Sequence, residues 1–179
     1  LGWELHHPIE MQNRLFDELF RIGAEYDLKP FGIRAMDSLR LEKSYRLIPR
    51  EMSIEYAALE SGLDRFVKLD KPEDFIGGEE LIAWRDRGFE NSFVTLEVFD
   101  VTDADARGSE AIYCGDELVG RATSGGYGFR VEKSLVLGLV KPEFSAQGTH
   151  LEIEILGKRY SCQVIPESPF DPENSALRA

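Results

Sequence analysis

The sequence predicts an α+β protein in two parts, a helical first half followed by an antiparallel β half that closes into a small barrel or sandwich. Two observations carry this. Before residue 90, apolar residues recur at helical spacing, first in Ile9, Leu15, Phe16, Leu19, Phe20 and Gly23, then in Ile33, Met36 and Leu39. From Phe93 the helical pattern vanishes, and short alternating runs appear between glycines at fairly even intervals. Such runs with no helix between them form a closed barrel or a sandwich. The division falls at residues 1–90 and 91–179.

Taken in order, Trp3 and Leu5 share one face of an opening strand, with Gly2, Glu4 and His6 on the other. Pro8 suits the first turn of a helix whose apolar face is the Ile9 to Gly23 set, expected to be buried as scaffold. Residues 27–30 are a loop, and a second helix starts near Ile33. Residues 48–61 show no sustained period and are expected as loop and a helical turn, and Leu63, Phe66, Val67 and Leu69 suggest a short strand. A short helix is expected over 79–87, with acidic residues in its first turn. The strands of the second half are expected at 93–99, 110–114, 117–126, 135–140, 150–155 and 158–165, with hairpin turns at Gly115-Asp116 and Leu156-Gly157. The tail 167–179 is expected as irregular chain.

The second helix carries the informative charges. Apolar residues on most of its circumference predict burial, and a buried charge must be paired or hydrogen-bonded. Asp37 stands three residues from both Arg34 and Arg40, so a structural ion-pair ladder of Asp37 with Arg40 competes with a functional reading. Arg34 stands apart at the element's start, after Gly32, where one guanidinium can fork onto a ligand carboxylate. Thr123-Ser124-Gly125-Gly126-Tyr127-Gly128 lacks the Gly-Lys-Ser/Thr of a phosphate loop. It is expected as a tight turn that admits close approach of a neighbouring domain.

Composition narrows the function classes. The 179 residues hold 21 Lys and Arg against 33 Asp and Glu, a net charge of −12, with no basic cluster for a phosphate backbone, so nucleic acid is not an expected partner. A small anionic ligand would need a local basic pocket, a role open to Arg34. Cys114 and Cys162 are expected as buried thiols of an intracellular protein, and no metal site is expected from His6, His7 and His150. No apolar run approaches a membrane span, and no secretory signal is seen. The sequence opens at Leu1, without Met and already strand-like, so we expect a fragment whose upstream part holds half of any site.

Five spaced stretches together resemble one family. They are Leu-Gly-Trp-Glu-Leu, Phe-Gly-Ile-Arg-Ala-Met-Asp-Ser-Leu-Arg-Leu-Glu-Lys, Asp-Phe-Ile-Gly-Gly-Glu-Glu-Leu, Val-Gly-Arg-Ala-Thr-Ser-Gly-Gly-Tyr-Gly and Asp-Pro-Glu-Asn. The family is that of the aminomethyltransferases, which includes glycine cleavage T-protein and the folate domains of dimethylglycine and sarcosine dehydrogenases. The wording of Leu-Arg-Leu-Glu-Lys-Ser-Tyr-Arg and Asp-Phe-Ile-Gly resembles the dehydrogenase branch.

The resemblance implies that residues 1–90 are the C-terminal portion of a folate-binding α/β domain and that residues 91–179 are its β-barrel. It implies tetrahydrofolate as cofactor, with FAD in an upstream domain of the dehydrogenase branch, and a small amine as one-carbon donor. It also implies the missing N-terminal part of the same domain as partner, and a cytoplasmic location, or the mitochondrial matrix in a eukaryote. Glu4 corresponds to the family's pterin-gripping glutamate and Arg34 to an arginine of its folate pocket. A pterin offers two parallel N–H donors that match one carboxylate. The family's catalytic aspartate lies upstream of the region matched, so no catalytic residue is assigned here, and Asp37 is not promoted to that role. A module that keeps the fold and binds without transferring is the alternative from another class.

Overall fold

The computed structural model describes residues 2–179; Leu1, the first residue of the opening motif, lies outside the described residues. The chain divides into two compact units, residues 1–33 and 34–179. In the first, a 3-10 turn at Ile9–Met11 leads into helix α1, Gln12–Gly23, and a second 3-10 turn, Ala24–Tyr26. The unit's opening residues form no strand, contrary to the alternation of Trp3 and Leu5, because no strand among the described residues pairs with them. The expected buried face of α1 is a second correction: none of its residues is buried, although Phe16 and Phe20 stack with centroids 4.5 Å apart. Amphipathic spacing makes a face that favours cover, but burial requires an element that supplies it.

The second unit is built on a barrel. Helix α2, Ile33–Glu42, precedes a long region of turns and a 3-10 turn at Asp64–Phe66, then helix α3, Gly78–Arg87. Six strands follow: β1 Ser92–Val98, β2 Ala111–Cys114, β3 Glu117–Gly128, β4 Lys133–Val140, β5 His150–Ile155 and β6 Lys158–Ile165. They close in the order β1-β4-β3-β2-β5-β6, and β6 pairs antiparallel with β1. Closure explains why the apolar run at 63–69 makes no strand, since a closed barrel leaves no free edge to extend. The hairpins at Gly115-Asp116 and Leu156-Gly157 form as the turn chemistry predicts, with φ of 51° and 78° at Leu156 and Gly157.

The interior holds Val94, Leu96, Ile112, Val119, Val136, Leu151, Ile153, Cys162 and Val164. A smaller cluster lies on the outside, where Leu41 of α2 packs with Leu135 and Leu137 of β4. Strand β4 is therefore covered on both faces, and every residue from Ser134 to Val140 is buried. Helix α2 buries only its C-terminal end against the barrel: Leu41 and Glu42 are buried, while Ile33, Met36 and Leu39 are exposed, and near the middle Ser38 Oγ donates to Tyr127 O of β3. The helix expected to be largely buried is thus an end-on prop. Its apolar residues before Leu41 point away from the surface that covers it.

The glycine-rich stretch is strand rather than turn, but the close approach expected there is present. A Cβ on Gly126 would stand 3.3 Å from Leu41 Cδ1, and one on Gly128 would stand 3.0 Å from Glu42 Cγ, so small residues let α2 sit on β3. Of the two cysteines, Cys162 is buried, and Cys114 is exposed at the end of β2 beside its hairpin. Among the described residues no helix is long and apolar enough to cross a membrane.

Candidate functional site

Helix α2 positions the charged residues singled out by sequence, and it separates them. Arg40 Nε donates to Asp37 Oδ1 at 2.7 Å, and its Nη1 reaches Glu51 Oε2 at 3.4 Å. The Arg40 and Asp37 half of the ladder is therefore structural. Arg46, in the loop after the helix, has a side chain only 5% exposed, pairs with Glu167 and lies over the Phe93 ring at 3.8 Å. Arg34 makes neither a hydrogen bond nor an ion pair among the described residues and is exposed in the first turn of α2. Of the three arginines, it is the one whose five donors are uncommitted.

Glu4 belongs to the first unit, in irregular chain before the first 3-10 turn. Its side chain is 91% exposed, and the His6 imidazole lies 3.7 Å away, a solvated contact of little strength. Both carboxylate oxygens remain open to a ligand with paired donors.

A buried network that sequence reasoning missed holds α2 in place. Glu51 is fully buried and accepts from Leu47 N at 2.8 Å, Thr123 Oγ1 at 2.6 Å and Ser124 Oγ at 2.5 Å, besides Arg40. Successive strand residues normally face opposite sides, but the β3–β4 register shifts between Ala122 and Ser124. This bulge turns both hydroxyls onto one carboxylate. Glu42 is also buried and accepts from Arg130 N at 2.6 Å. The one buried side-chain polar atom without a partner among the described residues is Arg40 Nη2, in the same network. Only the pairing of an isolated Glu with a bulge-forming Thr-Ser hinted at this in sequence, and the two stand 72 positions apart.

The C-terminal tail completes the surroundings of α2. Lys43 Nζ donates to Phe170 O, Asp171 O and Asn174 Oδ1 at 3.2, 2.6 and 2.8 Å, so the Asp-Pro-Glu-Asn stretch grips the residue next to the helix. The helix ends with Ser44 N on Leu41 O and Tyr45 N on Arg40 O, the paired bonds of a Schellman cap. Ser44 takes the left-handed position there at φ 54°, and its Oγ is 2.8 Å from Thr95 Oγ1 of β1.

Comparison with known proteins agrees with this architecture. The GCVT N-terminal domain matches residues 1–71, and the glycine cleavage T-protein C-terminal barrel domain matches residues 91–171. Mitochondrial dimethylglycine dehydrogenase of Homo sapiens is 40% identical over 167 residues, covering 93% of this chain and 19% of that protein. An aminomethyltransferase of Bacillus mycoides is 34% identical over 169 residues, covering 94% of this chain and 45% of that protein. The chain therefore spans less than half the length of these curated relatives. In fold, the crystal structure of glycine cleavage system aminomethyltransferase T from Bartonella henselae matches 92% of this chain and 45% of its own, with a TM-score of 0.80 at 22% identity. With both domain types matched in the family's order, the chain belongs to the aminomethyltransferase family of glycine cleavage T-protein.

Proposed function

We propose that this chain supplies the later part of a folate-binding domain, residues 1–90, and its barrel, residues 91–179. The protein it serves would transfer a one-carbon unit from a small amine donor to tetrahydrofolate. Tetrahydrofolate supplies the nitrogens that accept the carbon; this chain's residues bind and orient it. Glu4 accepts the paired N–H donors of the pterin, and Arg34 neutralises a folate carboxylate. The observation that carries the reading is the uncommitted Arg34 guanidinium on a helix whose neighbouring arginines, Arg40 and Arg46, are both engaged. Asp37 is held by Arg40 and takes no part in handling the donor.

The test is calorimetric titration of a reduced folate into the full-length protein beside its Glu4→Gln variant. The amide keeps the shape but replaces an acceptor by a donor, so binding should be lost in the variant. Absence of binding in both proteins would overturn the folate reading. The similarity to dimethylglycine dehydrogenases supports a parent of that type, with a flavin domain upstream and a matrix location in a eukaryote. A flavin absorbance band in the full-length protein is the expected sign, and a colourless protein would place it with the aminomethyltransferases instead.

A further inference from the structure

The tail after β6 is not needed to close the barrel, because β6 completes its pairing with β1 at Ile165. Yet residues 166–174 are built with unusual care. Ser168, Asp171 and Asn174 all take positive φ, at 58°, 45° and 56°, a region costly for residues with a Cβ and kept only where surrounding contacts impose it. Most of those contacts lead to one place, the C-terminal end of α2, while Glu167 pairs with Arg46 just beyond it and the Phe170 ring meets Arg130. Phe170 N donates to Glu42 O at 2.9 Å and Ser168 Oγ to Lys43 O at 2.9 Å, filling carbonyls that a helix end leaves without partners. Ser168 N donates to Ser44 Oγ at 3.1 Å, and the Lys43 ammonium spends all three of its donors on the tail.

We infer that Lys43 is a positioning residue, which acts through this C-terminal strap to aim α2 and with it Arg34. The inference rests on the assignment of Arg34 to folate. Its mechanical basis is a helix held at its middle and at its end, with Arg40 tied to buried Glu51 between them. Near the middle, Ser38 Oγ donates to Tyr127 O of β3 at 2.7 Å. At the end, the strap grips Glu42 to Ser44 from one side, while the barrel holds Leu41 and Glu42 from the other. Arg34 stands at the opposite end, about 14 Å along the axis from Lys43 at 1.5 Å per residue. Releasing the strap lets the helix tilt about Ser38, so the displacement is felt at Arg34, where no contact restrains the side chain. The strained backbone of the tail thus serves ligand geometry rather than barrel closure.

The test is calorimetric titration of a reduced folate into four forms of the full-length protein: unchanged, Arg34→Gln, Lys43→Met and the double variant. Amide hydrogen exchange over residues 38–42 is followed without folate. Lys43→Met should weaken folate about fivefold in the unchanged background and less than about twofold beside Arg34→Gln, because the effect passes through Arg34. Exchange should quicken over α2 and stay unchanged over β4. Equal weakening in both backgrounds would overturn the inference and make Lys43 a general stabiliser, and so would undiminished affinity in Lys43→Met. Arg34→Gln without effect would defeat the folate assignment beneath it, an outcome distinct from the first two, in which Arg34 still matters. If Lys43→Met fails to fold, Asn174→Ala removes one of the three acceptors and is read by the same outcomes.

Discussion

Helix α1 and strand β4 are both strongly patterned, yet one has no buried residue and the other is buried almost throughout. The difference lies in their neighbours. Strand β4 faces the barrel interior on one side and Leu41 of α2 on the other. Helix α1 leaves Ile9, Met11, Phe16, Leu19 and Ile22 exposed on or beside its apolar face. Pattern states which face favours cover, and topology decides whether cover arrives. The region between them, residues 43–77, is the instructive case. It has little regular structure, yet Ser44, Glu51, Glu60 and Ser61 are buried in it, because hydrogen bonds do there what apolar packing does in the barrel.

The sharpest way to test that contrast is to cut the barrel core. Ile153 is fully buried within the interior cluster, so Ile153→Ala should cost about 4 kcal/mol in urea unfolding, from lost transfer energy and a residual cavity. A cost under about 1 kcal/mol would show that the barrel is not the stable half. Next is the polar counterpart. Glu51→Ala strands Leu47 N and the Ser124 hydroxyl, leaves Thr123 Oγ1 with Leu137 O alone and takes one partner from Arg40, so it should cost about 3 kcal/mol, nearly as much as the apolar cut. If it costs no more than a surface change, the loop is held by something other than this carboxylate.

Much of this was legible in advance, and what was not has physical reasons. The six strands and both two-residue hairpins were readable because alternation and turn residues are local signals. The burial of Glu51 was not, since an isolated glutamate in an irregular stretch looks like surface until a bulge 72 residues later turns two hydroxyls towards it. The strand expected at 63–69 failed because strand propensity needs an open edge, and the barrel has none. For α2, Ile33, Met36 and Leu39 suggested burial, but the helix buries only its last two residues. Arg34 could be told from Arg40 by its place at the element's start; in the structure Arg40 pairs with Asp37, and Arg34 has no side-chain partner among the described residues.

A pH experiment sharpens the barrel side of the comparison further. Burial, and secondarily the charge of Glu152, pushes the Cys162 thiol from 9.0 up to about 12. The native state thus holds a proton that the unfolded state gives up, and the sign follows from linkage. Stability from this group is fully present below pH 9 and is lost as pH rises from 9 towards 12, by about 1.4 kcal/mol per pH unit. Between pH 8 and 10, the chain should lose about 1.4 kcal/mol more than Cys162→Ala does. Parallel pH profiles would contradict it. Iodoacetamide at pH 8 should label the exposed Cys114 and spare Cys162.

The smallest expected effect belongs to α1, and it is the one that would break the comparison. Phe16 is 57% exposed, and its one aromatic partner is Phe20, a turn away. Replacing it by Ala forfeits a pair worth about 0.2–0.5 kcal/mol on an isolated helix surface. The same change gains about 0.5 kcal/mol of helix propensity, since Ala keeps no side-chain freedom to lose. The two nearly cancel, so Phe16→Ala should leave the unfolding of the 179-residue chain within about 0.5 kcal/mol of its parent. A cost of about 2 kcal/mol or more would mean that a surface covers this face after all, and the contrast between α1 and β4 would then lie in pattern and not in neighbours. The same substitution made in the full-length protein separates the two cases: a core-like cost there, beside a negligible one in the shorter chain, would locate the cover outside these residues.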